Sequence, residues 1–143
     1  MIAVDTQILV YALRADAEFH QPALAALLGL AQGGQRWAIP WPCVHEFLAI
    51  ATHPRIYTPP TPLALALQAM DVWIQSPGCQ LIGEGPGYWE TLQELSGRAK
   101  CRGPLVHDVR IAAICRHHRI KELWTADRDF SRFGGLLTHN PLV

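Results

Sequence analysis

The chain has 143 residues, half of them apolar and 17% charged, and carries no net charge at pH 7. That balance describes one globular domain with its own core, and excludes a disordered segment, a scaffold dependent on staples and a globally basic nucleic-acid binder. The longest apolar runs, such as Leu63 to Leu67 and Ile111 to Cys115, are too short to cross a bilayer, and no basic region leads into a long apolar one. A cytoplasmic protein without membrane contact is expected.

Ile2 to Val4 reads as a short buried strand that hands over at Asp5, and Thr6 to Arg14 as the helix it enters. Ala17 to Gly33 is expected to form a second helix, with Asp16 as its cap and Gly33-Gly34 as its stop. Arg36 to Pro40 is a short strand, and Trp41 to His53 a helix whose apolar face is Val44, Phe47, Leu48 and Ala51. Four prolines between His53 and Pro62 demand a loop. Leu63 to Ser76 predicts a helix, Gln80 to Ile82 a strand and Gly87 to Lys100 another helix. After a break at Cys101-Arg102-Gly103, a helix is expected from Pro104 or Leu105 to His118, apolar on nearly every side and hence buried. Glu122 to Thr125 is a strand, and Leu136 to Thr138 a last edge strand.

Helices and short strands alternate from end to end, with no repeat and no linker. The expected fold is a single α/β domain over residues 1–143, a three-layer α/β/α sandwich around a mainly parallel sheet.

The four cysteines, Cys43, Cys79, Cys101 and Cys115, are far apart and make no paired metal-ligand spacing, so reduced, mostly buried thiols are expected. Charge is unevenly spread. Residues 98 to 132 hold nine of the twelve Lys and Arg residues against four acids, an excess of five, and residues 1 to 97 carry the opposite excess. A basic carboxyl-terminal third can steer a polyanion to a local site, and the region around Arg98 to Arg102 is one place for such contacts. A solvated helix face explains any single one of these residues equally well.

Four carboxylates stand in unusual company. Asp5 ends a strand, Glu46 lies between Val44 and Phe47, Asp108 opens the buried helix, and Asp127 follows a strand with Asp129 two residues on. Each has a plain alternative: Asp5 and Asp108 as helix caps, Asp127 in an Asx-turn, Glu46 at a solvent edge. Yet two of them follow strands, which in a parallel sheet places both on one edge, where open α/β folds bind ligands. The other two lie on helices built mostly of core residues, where an unpaired acid is rarely buried. Converging carboxylates repel one another unless a cation joins them, and Mg²⁺ or Mn²⁺ prefers all-oxygen ligands. One or two such ions suit phosphodiester hydrolysis.

The order Met1-Ile2-Ala3-Val4-Asp5-Thr6, then Glu46, then His107-Asp108-Val109-Arg110, then Thr125-Ala126-Asp127-Arg128-Asp129-Phe130, and finally Asn140-Pro141, resembles the PIN domain. The spacing is similar in particular to the VapC-type toxin ribonucleases of bacterial toxin–antitoxin pairs, over almost the whole chain. The resemblance implies a Mg²⁺-dependent endoribonuclease, with Mn²⁺ as a substitute ion. It implies that Asp5, Glu46, Asp108 and Asp127 are the catalytic, metal-holding acids. It further implies a homodimer and a cognate antitoxin that blocks the acidic pocket. Thr6 and Thr125 match positions that support the acids by hydrogen bonds. Asp129 is a supporting carboxylate, and the pattern leaves open whether it shares the role given to Asp127. Position 7 is Gln, where the family often has a smaller polar residue.

A catalytically silent module of the same fold, binding RNA or protein, is the alternative. All four acid positions are filled, which disfavours it. A small-molecule enzyme on an α/β fold is disfavoured because no Gly-x-Gly-x-x-Gly or Gly-x-x-x-x-Gly-Lys follows a strand. No Ser/His or Cys/His pair suggests a covalent nucleophile, since His45 and His107 merely adjoin acids in sequence.

Overall fold

A computed structural model describes residues 1–143. The elements in chain order are β1 (Ile2–Val4), α1 (Thr6–Leu13), α2 (His20–Gln32), β2 (Trp37–Pro40), α3 (Trp41–Ala51), α4 (Leu63–Gln75) and β3 (Cys79–Ile82). They are followed by α5 (Tyr88–Arg98), α6 (Leu105–His117), β4 (Glu122–Trp124), a 3-10 turn (Arg128–Arg132) and β5 (Leu137–His139). The five strands form one sheet in the order β3-β2-β1-β4-β5, and every pairing is parallel. No helix is long and apolar enough to cross a membrane.

Strand order fixes where a site can form. From β1 the chain moves outward to β2 and β3, then returns past β1 to β4 and β5. Right-handed crossovers place α1 to α4 on one face and α5 and α6 on the other, and these two groups of helices do pack among themselves. The direction of winding reverses between β1 and β4, so a crevice opens at their carboxyl ends.

The strands are short because few residues are needed to span a core this small, and those of β2 are buried without exception. Trp37, Ile39 and Phe47 join Ile8, Leu27 and Ile111 in one apolar cluster that runs through both helical layers. Burying a side chain of this size stabilises the fold by about 1.5–3 kcal/mol. The middle of α6, Ile111 to Cys115, is buried throughout, as its all-round apolar composition requires.

Two expectations shift. The second helix begins at His20, with Phe19 at its cap, rather than at Ala17 under Asp16. Asp16 is engaged elsewhere: Arg14 donates to both its oxygens, at 2.9 and 2.6 Å. The same guanidinium donates to the Pro59 carbonyl and lies 4.3 Å from the centre of the Tyr57 ring, pinning the proline loop. The helix expected from Gly87 starts at Tyr88, because Gly87 sits at φ 89°, a left-handed position that suits glycine.

Candidate active site

Asp5 leaves β1 as Thr125 leaves β4. Val4 pairs with Trp124 in register, and the Asp5 amide donates to the Trp124 carbonyl at 3.0 Å. The two residues after these paired strands therefore lie side by side. Asp5 is buried, and both of its oxygens are held. Oδ1 accepts from the Thr6 amide at 2.8 Å, and Oδ2 from the Thr125 hydroxyl at 2.7 Å. The helix-cap reading of Asp5 is thus correct for one oxygen and silent about the other. The Thr125 hydroxyl in turn accepts from the Asp127 amide at 3.0 Å, so one side chain ties the strand end to the next acid.

Glu46 reaches the site from α3. That helix begins directly after β2, which neighbours β1, and Glu46 lies one turn and a half along it. Its Oε2 accepts from the Thr6 hydroxyl at 2.7 Å, while Phe47 on the other side of the helix is fully buried. Asp108 lies one turn inside α6 rather than at its cap, which is Pro104. There it faces the amino-terminal end of the helix, whose unpaired amides favour a negative charge. Asp127 caps the 3-10 turn, its Oδ1 accepting from the Asp129 amide at 2.9 Å, as an Asx-turn requires. The turn also aims Asp129 back at the site.

Carboxylate oxygens of Asp108, Asp127 and Asp129 all lie within 4.8 Å of one another. Asp5 and Glu46 do not join this trio at that spacing, but their charges reach it. Burial, then the charges of Asp127, Asp5, Asp129 and Glu46, push the Asp108 carboxyl up to about 6. Asp5 is raised as well, chiefly by burial and further by Glu46 and Asp127, against the hydrogen bonds from Thr125 and Thr6. All five acids thus share one field of repulsion, with no basic side chain inserted among them to relieve it. Of the five, only Asp129 forms an ion pair, with Arg132 at 3.8 Å.

This donor set fits a hard divalent cation. It is all oxygen and multiply anionic, and a six-coordinate Mg²⁺ with bonds of about 2.1 Å sets its ligand atoms about 3 to 4 Å apart. The orientation of Asp5 and Glu46 is fixed by the two threonines before any ion arrives, as supporting hydrogen bonds do in metal sites.

Cys43 was not legible as part of this site. Its thiol is fully buried and lies 3.8 Å from Asp5 Oδ1, a weak donor contact. The available signal was its place on α3, three residues before Glu46 and hence on the same face. Burial pushes this thiol well up, as it does Cys115, which rises to about 12. Neither forms the thiolate that nucleophilic attack needs. His45 and His107 are exposed and make no hydrogen bond to the acids.

The family model for the PIN domain matches residues 2–136. Ribonuclease VapC48 of Mycobacterium tuberculosis is 29% identical over 137 residues, covering 96% of this chain and 94% of that protein. Ribonuclease VapC43 of the same organism is 30% identical over 142 residues, covering 99% of this chain and 96% of that protein. Among solved structures, VapBC2 from Rickettsia felis bound to a DNA fragment from their promoter has a TM-score of 0.71 at 18% identity, covering 98% of each chain. This chain belongs to the PIN-domain family.

Proposed function

We propose that the protein is a divalent-metal-dependent endoribonuclease, acting as the toxin of a toxin–antitoxin pair. The observation that carries this is the trio Asp108, Asp127 and Asp129, gathered beside buried Asp5 at the switch point of the sheet. Whole-length similarity to ribonucleases VapC48 and VapC43 supports it. Mg²⁺ is the proposed ion, with Mn²⁺ able to replace it. Asp5, Asp108 and Asp127 would hold it, helped by Glu46 and by Asp129. When bound, such an ion lowers the pKa of a water, orients the scissile phosphate and offsets charge on the leaving oxygen.

The chain's own groups do the rest. Thr6 and Thr125 fix Asp5, so its carboxylate needs no reorganisation as charge develops nearby. Glu46 has only Oε2 committed, to Thr6, which leaves Oε1 to orient a water. No activated Ser or Cys is present, so water is the nucleophile and no covalent enzyme intermediate forms.

Incubating RNA with the purified protein in Mg²⁺, in EDTA and as Asp5→Asn tests the reading. Cutting that needs the metal and vanishes in the variant is expected. Equal cutting by Asp5→Asn would overturn it.

Two partners are proposed with this reading, the first supported by the likeness to VapBC2. An antitoxin protein would cover the acidic crevice. A second copy of the chain would dock on exposed apolar residues of α4, where Leu63, Leu67 and Val72 are each about half exposed or more. Sedimentation of the isolated chain tests the dimer.

A further inference from the structure

Five acids at one place attract a cation and repel an RNA strand. Something beside them must hold the strand. Of the nine basic residues in the carboxyl-terminal third, three face glutamates. Arg98 and Arg116 both pair with Glu94 at 3.2 Å, and Arg110 pairs with Glu84 at 2.8 Å. Lys100 and Arg102 make no ion pair, and Arg132 has only its 3.8 Å approach to Asp129. These three line a single cleft of about 630 Å³, whose wall also includes Asp108 and Asp129 of the acid trio.

We propose that this cleft, lined by Lys100, Arg102 and Arg132, is a subsite for the sugar–phosphate backbone of single-stranded RNA beside the cutting position, and that it reads no base. The inference rests on the nuclease reading and adds a location and a selectivity to it. Three features carry it.

The first is the charge arrangement. Lys100 and Arg102, which make no ion pair, and Arg132 share one wall with the acids, so a phosphate held by the cations lies next to the acids. The second is chemistry. The lining contains no aromatic ring to stack a base and no Asn or Gln to read its edge, and only one of its seven residues is hydrophobic. Aromatic rings and side-chain amides, the usual means of holding a base, are thus absent, and although a guanidinium can stack on a base, lysine and arginine alike meet phosphates of any sequence. The third is rigidity. Lys100 sits at φ 51° at the end of α5, where its amide donates to the Gly97 carbonyl at 3.3 Å and the Cys101 amide to Ser96 at 3.0 Å. That paired closure of a helix end fixes the turn from which Lys100 and Arg102 project.

The test is binding of equal-length single-stranded RNAs of permuted sequence, in Mg²⁺, on an Asp5→Asn background that leaves the RNA intact. Replacing Lys100→Gln and Arg102→Gln together removes two charges and retains much of each side chain. Thermal melting checks that the double variant folds. The slope of log affinity against log salt should become shallower by about 1.4, with affinity falling by a similar factor for every sequence. Arg102→Lys, which keeps the charge, should restore about half of the lost slope to Lys100→Gln/Arg102→Lys. An unchanged slope, a loss confined to one sequence, or no RNA binding by the background protein would each overturn the subsite. None of these results depends on whether wild type cuts, which Asp5→Asn against wild type decides separately.

Discussion

Thr125 donates its hydroxyl to Oδ2 of Asp5 at 2.7 Å, joining residues 120 positions apart in the chain. Parallel pairing of β1 with β4 brings them together, so the bond is a direct product of sheet register. Thr125→Val keeps the shape but removes both the donor to Asp5 and the acceptor of the Asp127 amide, leaving a buried carboxylate oxygen without its partner. Stability should fall by about 1.5–3 kcal/mol, the range for a hydrogen bond to a charged group. Thr125→Ser should stay near wild type. Urea unfolding in metal-free buffer measures both, and a valine variant as stable as wild type would show that the bond contributes nothing.

Thr6 and Glu46 form the second such pair, at 2.7 Å. If Thr6 acts by aiming Glu46, its removal matters only while Glu46 is present. Thr6→Val and Glu46→Gln should each slow RNA cutting, by about tenfold or more. The double variant should be no slower than Glu46→Gln alone. Multiplying losses in the cycle would mean that the two residues act independently.

The arrangement of layers was legible because apolar runs alternate with helical periods throughout, and Asp5 and Asp127 could be placed because both follow strands. The all-parallel sheet continues that pattern to β5, whose residues Leu137 to His139 are exposed and gave only a weak signal. Other features were hidden for physical reasons. Asp16 looked like a helix cap, since sequence cannot show that Arg14 claims both its oxygens. The cap alternative for Asp108 fails because the helix starts at Leu105, as its apolar pattern predicts, which sets Asp108 one turn inside with Pro104 at the cap. Cys43 is apolar by type, and only packing reveals its contact with Asp5. The basic residues could be counted in the sequence, but which of them lack an acid partner depends on the turn of α5 against α6.

Asp127 and Asp129 differ in a way that substitutions can separate. Asp127 already uses Oδ1 to hold the turn, whereas Asp129 has neither oxygen in a hydrogen bond. Asp127→Asn can still accept from the Asp129 amide through its carbonyl, so the turn survives and the charge is lost. Asp127→Asn and Asp129→Asn should each weaken Mg²⁺ binding, by about tenfold or more. Asp127→Ala should in addition lower stability by about 0.5–2 kcal/mol, as loss of a capping acceptor does, and Asp129→Ala should not. Calorimetric Mg²⁺ titration and urea unfolding read the two effects independently. Wild-type affinity in Asp129→Asn would exclude that residue from the ion's surroundings.

Metal-free protein should be more stable in mild acid than at neutral pH. Burial and four neighbouring carboxylates raise Asp108 from an ordinary 3.8 to about 6, and Asp5 rises in the same direction. The native state therefore keeps a proton that the unfolded chain has lost. Between about pH 4 and 6, stability falls as pH rises, and above that window the whole repulsion is felt. Asp108 is only partly buried, so solvent weakens the effect, and a Tm higher by on the order of a few °C at pH 5 than at pH 7.5 is expected. Asp108→Asn should remove most of that difference, which separates it from the titration of other groups. Saturating Mg²⁺ at pH 7.5 should raise the Tm of wild type, since about 2.7 kcal/mol accrues at one hundred times the dissociation constant. The gain should shrink at pH 5, where protons compete for the same oxygens. Scanning calorimetry at the two pH values, with and without the ion, measures all of this. A wild-type Tm that rises with pH in EDTA, while Asp108→Asn stays flat, would show that the acids are not in mutual repulsion.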